Sequence, residues 1–207
     1  MGRAASGVHT VGMDDLEKDL QDVLNDIFAP NPGVVTPTPP HLKEMLASIR
    51  AEHLAAMERH ESFLKRVESQ EVVLAQYGPG FSSDLSDWCL ALSSSGILSQ
   101  HVEVSNFEDH SHDGPRDYEV QVGADFVASV LVRADELDFW NLDAVDPNVG
   151  VTDMPSLSLS IKHAGRSRVY RPESVVYYAY HGHDGAKRFM ELWNLIHEHA
   201  PFPPKER

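Results

Sequence analysis

Residues 97–107, ILSQHVEVSNF, lie where the hydrophobic periodicity of the chain changes, and this change decides the fold class. Before this stretch apolar residues recur at helical spacing, whereas within and beyond it they alternate with polar residues. Alternation over short runs bounded by turn-forming residues is typical of β-strands. The sequence therefore predicts an α+β domain with a mostly antiparallel sheet from about residue 97 onward and helices outside it.

Six segments from this point onward have the alternating pattern or the β-branched and aromatic composition of strands. The predicted strands are residues 97–107, 118–122, 126–132, 157–163, 168–170 and 175–180. The third segment also fits a helix over residues 126–137, because its apolar spacing suits both structures. A C-terminal helix is predicted over residues 184–199, which PFPP brings to an end.

Two helices are predicted between residue 41 and the sheet. The longer covers residues 41–77 and ends at a Gly-Pro-Gly sequence that cannot continue it. Its apolar seam has the four-three spacing of helices in bundles or coiled coils, although a long helix lying on its own domain is the alternative. The candidate partner-binding residues on this seam are Leu46, Ile49, His53, His60 and Phe63. The shorter helix is predicted over residues 83–92.

The first 40 residues predict an attachment arm. An acidic amphipathic helix is expected over residues 14–28, with an apolar face for docking to a partner. The residues of this face are Leu16, Leu20, Val23, Leu24, Ile27 and Phe28. Residues 29–40 contain five prolines, which exclude a helix and favour an extended tether. The predicted domains are a disordered start and acidic docking helix (1–28), a Pro-rich linker (29–40), a long helix (41–77) and an α+β domain (78–207).

Charge and cysteine content exclude several classes of protein. The 207 residues include 32 acidic and 17 basic side chains, for a net charge of −15. Such a charge argues against binding to nucleic acid or to an anionic membrane, and no apolar run approaches the length that spans a bilayer. The first residues lack the apolar region of a secretory signal, and a single cysteine cannot form an intrachain disulfide. We therefore expect a protein of the cytoplasm or of a particle assembled inside the cell.

Two copies of a His-x-His-Asp-Gly motif are the strongest indication of chemistry. The motifs supply His110, His112 and Asp113 in one loop and His181, His183 and Asp184 in another. Imidazoles two residues apart on an extended chain point the same way, and a neighbouring carboxylate can bind the same metal. If the loops meet, they would hold a divalent metal such as zinc or manganese. Solvated loop histidines are the competing interpretation.

Attachment features are more complete in this sequence than catalytic ones. The sequence has no Walker A, GxSxG or GxGxxG motif. We expect a non-enzymatic assembly or adaptor protein without a cofactor, such as a component of a large complex or virus particle, that binds a protein partner, further copies of itself, or both. The alternatives are a metal-dependent hydrolase that uses both histidine loops and an acidic inhibitor or immunity-like protein that occupies a basic target site.

Overall fold

The computed structural model describes residues 40–80, 86–104, 114–143 and 154–202. Within them the chain has an α+β architecture of four α-helices, one short 3-10 helix and six strands. In chain order these are α1 (Pro40–Val67), β1 (Glu71–Gly78), β2 (Asp87–Ser93), β3 (Ile97–Val104), β4 (Gly114–Gln121), α2 (Ala124–Glu136), the 3-10 helix (Phe139–Asn141), β5 (Ser156–His163), β6 (Arg166–Tyr170), α3 (Val175–Tyr180) and α4 (Asp184–His197). The predicted acidic helix and nearly all of the tether lie outside the described residues.

The six strands form one sheet in the order β4-β3-β2-β1-β5-β6, and every neighbouring pair is antiparallel. The prediction of an α+β fold with a mostly antiparallel sheet is therefore confirmed. The sheet begins at Glu71 rather than near residue 97, because β1 and β2 precede the strand from which it was predicted. Strand β1 is central, since it pairs with both β2 and β5.

Two hydrophobic cores lie on opposite faces of this sheet. The larger contains Leu90 of β2 with buried residues of α2 and α4, such as Val130 and Phe189. The smaller contains Phe63 and Val67 of α1 together with Cys89 and Ala91 of β2. Strand β2 contributes to both cores because successive side chains of a strand point to opposite faces.

The chain divides into two units, Met1–Leu54 and Ala55–Arg207, and the boundary lies within α1. In the first unit, Met45 and Ile49 of α1 are 49% and 55% exposed. In the second unit, Phe63 is 2% exposed. None of the described helices is long and apolar enough to cross a lipid bilayer.

The predicted helix over residues 41–77 is wrong in its C-terminal part, because α1 ends at Val67 and β1 begins at Glu71. The four-three spacing of α1 continues to Leu74 only by coincidence, because Leu74 is an apolar residue of β1. Val73 and Ala75 enter the larger core, while Leu74 packs on the smaller one. Hydrogen bonding to strands on both sides of β1 outweighs the local helical spacing.

The predicted helix over residues 83–92 is wrong in the part that is described, where β2 forms instead. Residues 88–93 are all buried, because β2 has a core on each face. A short run that is apolar on both faces has no periodicity that separates a strand from a helix.

Residues 126–132 and 175–180, predicted as strands, lie in α2 and α3. In α2, Val127, Val130 and Ala134 are buried at spacings of three and four, so the helical alternative is the correct one. In α3, packing against α4 overrides the strand propensity of its valines and tyrosines. The other predicted strands and the C-terminal helix are confirmed within the described residues.

Candidate functional site

A row of polar side chains crosses the sheet beneath the C-terminal half of α1, within the unit of residues 55–207. Strand pairing aligns Ser158, Gln76, Cys89, His101 and Asp117 across β5, β1, β2, β3 and β4. Directly paired residues of neighbouring strands point to the same face of a sheet. The row therefore lies on the face of the smaller core, and the ring of Phe63 stacks on that of His101 at 5.7 Å between centroids.

His101 joins two carboxylates. The residue is 4% exposed, with Nδ1 2.6 Å from Asp117 Oδ1 and Nε2 3.1 Å from Glu103 Oε1. An ionised carboxylate can only accept hydrogen bonds, so both contacts are hydrogen bonds only when both ring nitrogens carry a proton. The geometry therefore describes the imidazolium form of His101, balanced by two acidic side chains.

Two arginines of α1 bind the same carboxylates from the helix. Arg59 donates to both oxygens of Glu103 at 2.7 and 2.9 Å, and Arg66 donates to Asp117 at 3.0 Å. Burial would raise the pKa of Glu103, but hydrogen bonds from Arg59 and His101 outweigh burial and hold that pKa below its ordinary value. The pKa of Asp117 is likewise lowered, because His101 and Arg66 outweigh its burial.

His60 is held in the opposite protonation state. Ser158 Oγ donates to Gln76 Oε1 at 3.0 Å, so the Gln76 amide nitrogen, 3.3 Å from His60 Nε2, is a donor. His60 Nε2 must then accept, and the geometry describes a neutral ring. Burial lowers the pKa of His60, the charge of His101 lowers it further, and Glu103 partly opposes both. The interface thus holds one charged and one neutral histidine.

A shallow groove of about 640 Å³ opens beside these pairs. Its charged lining includes Arg59 and Arg66 from α1 with His101 and Asp117 from the sheet. Both arginines are already paired with carboxylates of the sheet, so neither is free to anchor an anionic ligand. The groove therefore follows the helix-sheet contact and does not present a separate cluster of uncompensated charge.

The cluster holds its helix in place rather than supplying reactive groups. Both ring nitrogens of His101 are engaged by carboxylates, which leaves no lone pair for a general base. Burial raises the pKa of the Cys89 thiol, and the charge of Asp117 raises it further, so this thiol stays protonated and unreactive. The arrangement joins α1 to the sheet through paired charges.

The predicted partner-binding residues of α1 divide into two groups. Ile49 and His53 are exposed and Leu46 is half-buried, so this part of the seam is open. His60 and Phe63 instead contact the sheet of their own chain, which is the alternative arrangement expected for this helix. Leu16, Leu20, Val23, Leu24, Ile27 and Phe28 lie outside the described residues.

The two histidine motifs differ in what the structure describes. His110, His112 and Asp113 lie outside the described residues. In the second motif His181 and Asp184 are exposed, while His183 precedes α4 and its Nδ1 accepts the Ala186 backbone N–H at 3.2 Å. This helix cap occupies one of the two ring nitrogens of His183. In the described part of the chain, no three His, Cys, Asp or Glu side chains form a group that could hold a metal ion.

Sequence reasoning missed most of the polar cluster, although two signals for it exist. His101 and Glu103 are two residues apart on a predicted strand, so they share a face. Arg59 and Arg66 are seven residues apart on a predicted helix, so they share a side. The missing information was the strand register that sets Asp117 opposite His101 and the placement of α1 over that register.

Comparison with known proteins assigns no family. No protein-family model matches the chain, and no curated protein matches it. The function is therefore inferred from the contacts described above.

Proposed function

We propose that this chain is a non-enzymatic assembly or adaptor protein that associates through the exposed apolar face of α1. The observation that carries the proposal is the change in burial along one helical seam. Met45 and Ile49 are 49% and 55% exposed, whereas Phe63 on the same seam is 2% exposed. Apolar residues at four-three spacing are stabilised when a second helix covers them.

A second copy of the chain is the proposed occupant of this face. Between Pro40 and Leu54, α1 carries Lys43 and Arg50 against Glu44 and Glu52, so it has no net charge although the whole chain carries −15. This segment therefore adds no net repulsion between two copies, and the seam of one repeats the spacing of the other. From Leu42 to His53 the seam extends roughly 16 Å at the helical rise per residue.

The acidic segment over residues 14–28 is the second attachment element of the proposal. It carries six acidic residues and one lysine, and its six apolar residues recur at helical spacing. These features suit a partner surface that is both apolar and basic. The test compares the proteins that cross-link to the full wild-type chain with those that cross-link to the double variant Leu20→Asp, Leu24→Asp. If the two sets are the same, this segment is not a docking element.

The main test is the mass of the full chain in solution, measured by sedimentation equilibrium at micromolar concentrations. We expect the wild type to dimerise and the double variant Met45→Glu, Ile49→Glu to be monomeric, because two charges then interrupt the apolar face. The matched control is Ala47→Glu with Ala51→Glu, which adds the same charge at exposed positions roughly 200° around the helix. The control should still dimerise.

Two results would exclude a second copy as the occupant. One is a monomeric wild type over the whole concentration range. The other is an equal loss of association in the two double variants, since that would reflect added negative charge and not the apolar face.

A further inference from the structure

We propose that the C-terminal half of α1 is a pH-sensitive latch, in which protonation of His60 releases residues 55–67 from the sheet. The proposal rests on the polar row and the smaller core, and it does not depend on self-association through Met45 and Ile49.

The first step is a forced rearrangement of hydrogen bonds. Gln76 points its amide N–H at His60 Nε2 because Ser158 already donates to the Gln76 carbonyl oxygen. A proton on Nε2 would set two donors against each other at 3.3 Å. Gln76 can turn its oxygen toward a protonated His60 only if the Ser158 hydroxyl, which donates to Gln76 in this structure, turns to accept from the amide instead. Protonation therefore forces the Gln76 amide and the Ser158 hydroxyl to reverse together, away from the arrangement of the closed latch.

The second step is electrostatic. The groups around His60 are uncharged on β1, β2 and β5, where Gln76, Cys89 and Ser158 lie. On β3, His101 is an imidazolium and disfavours a second positive charge, and Glu103 favours it. On β4, Asp117 is paired with His101 and Arg66.

Glu103 does not rescue a protonated His60. Both of its oxygens accept from Arg59, and Oε1 also accepts from His101. The carboxylate is therefore already shared between two cations. The cations Arg59, Arg66 and His101 already outnumber the carboxylates Glu103 and Asp117 by one, and a protonated His60 would raise this excess to two.

The release is local because the two cores differ in size. The larger core extends from α2 and α4 across the other face of the sheet, whereas the smaller one has four buried residues among those described. Those residues are Phe63, Val67, Cys89 and Ala91. Elements with few buried apolar contacts open at lower free energy than the rest of a domain. Detaching residues 55–67 therefore leaves the larger core intact.

The pH window follows from the direction of the shifts. The folded pKa of His60 lies below its ordinary value of 6.5, so the neutral ring stabilises the closed latch above that pH. This stabilisation is lost as the pH falls below 6.5 toward the folded pKa. Glu103 and Asp117 have lowered pKa values too, but their contribution is lost only below their ordinary values of 4.5 and 3.8. Between pH 6.5 and 4.5, His60 is therefore the one of these three groups whose protonation weakens the closed latch.

The test is hydrogen exchange of the full chain at about pH 7.5 and pH 5.5, corrected for the intrinsic exchange rate. We expect the protection of residues 55–67 to fall at the lower pH by a factor of at most about ten, the maximum for one site with a reference pKa of about 6.5. The peptide that covers α4 is the internal control and should keep its protection. Equal loss in α4 and α1 would mean global destabilisation and would overturn the latch.

Variants assign the response to one residue. His60→Gln cannot be protonated and keeps a polar group facing Gln76, so its α1 protection should no longer depend on pH. His53→Gln is the matched control, because this exposed histidine lies seven residues earlier on the same helix. It should respond as the wild type does. A wild-type response in His60→Gln would overturn the proposal.

Gln76→Glu tests the same contact if His60→Gln does not fold. This variant replaces a hydrogen-bond donor beside His60 Nε2 with an acceptor. A carboxylate beside Nε2 favours the imidazolium, so α1 should remain protected at the lower pH. Loss of protection in Gln76→Glu to the wild-type extent would overturn the proposal. So would unchanged protection of residues 55–67 in the wild type, because a folded pKa below 6.5 requires the closed latch to lose stability as the pH falls.

Discussion

Among the described glycines, Gly96 is the one at which backbone geometry restricts the sequence most tightly. It has φ +81°, and a Cβ built there lies 2.2 Å from the carbonyl carbon of Gly123. Its carbonyl oxygen also accepts from the N–H groups of Val122 and Gly123 at 2.9 and 3.1 Å. The turn between β2 and β3 is thus held against the end of β4, and the position needs both a left-handed backbone and no side chain.

Gly96→Ala should destabilise the chain more than Gly165→Ala. Both positions have a positive φ, +81° and +77°, but nothing lies within 4 Å of a Cβ at Gly165. Left-handed strain of about 1 kcal/mol is common to both, and the clash at Gly96 adds roughly 2 kcal/mol more because backbone must move. Urea denaturation of the two variants measures the difference. Equal midpoints would show that the contact with Gly123 relaxes without cost.

At the scale of the element, α1 is held to the sheet by pairs that differ in burial. Arg59 and Glu103 are 38% and 20% exposed and form two hydrogen bonds. Glu61 and Lys65 on the same helix are 65% and 70% exposed. Hydrogen bonding to Glu103 raises the pKa of Arg59, as expected for a cation stabilised by its partner. A two-point pair with a fixed geometry should contribute more than an exposed pair on one helix.

A double-mutant cycle tests this difference. For Arg59→Ala and Glu103→Ala we expect a coupling free energy of about 1 kcal/mol, since solvent reaches the arginine and screens the pair. The cycle of Glu61→Ala and Lys65→Ala is the control and should give a smaller coupling that added salt removes. Chemical denaturation of the wild type, the two single variants and the double variant of each cycle gives the two coupling free energies. A coupling no larger than that of the control would mean that the Arg59–Glu103 pair holds α1 no better than an exposed pair does.

At the scale of the whole molecule, Gln100 joins β3 to the last described residues. It is 0% exposed, donates to the Phe202 carbonyl oxygen at 2.7 Å and accepts from the Phe202 N–H at 2.9 Å. Phe202 also stacks on Tyr118 of β4 at 5.9 Å between ring centroids. A buried amide that pairs with both backbone groups of one residue thus fixes the segment after α4.

Gln100→Leu should therefore lower the free energy of unfolding by more than the loss of two ordinary hydrogen bonds would. It would leave both backbone groups of Phe202 without their partner, and we expect a loss of about 2–4 kcal/mol in the free energy of unfolding. Gln121→Leu is the control, because Gln121 is exposed and water can replace its bonds to Ser95 and Gly96. Urea denaturation compares them. A cost at Gln100 equal to that at Gln121 would mean that water reaches Phe202.

Periodicity in the sequence was enough to predict the elements that have one buried face. Residues 157–163 alternate because only one face of β5 enters the larger core, and α4 shows helical spacing because only one stripe of it does. Strand β2 was missed because it is buried on both faces, and β1 because its apolar residues continue the spacing of α1. Of the candidate site, the row beneath α1 was not predicted, and partner binding at Ile49 and His53 stays a prediction.

The sequence by itself determined the α+β class, the acidic charge, the helical seam of α1 and the C-terminal helix, because each depends on composition or on spacing between near neighbours. Only the tertiary structure decided where α1 ends and what His101 and His60 do. Each of those outcomes depends on strand register, which brings Ser158, Gln76, His101 and Asp117 into one row from four strands. Register is a property of pairing between distant segments, so no local pattern encodes it.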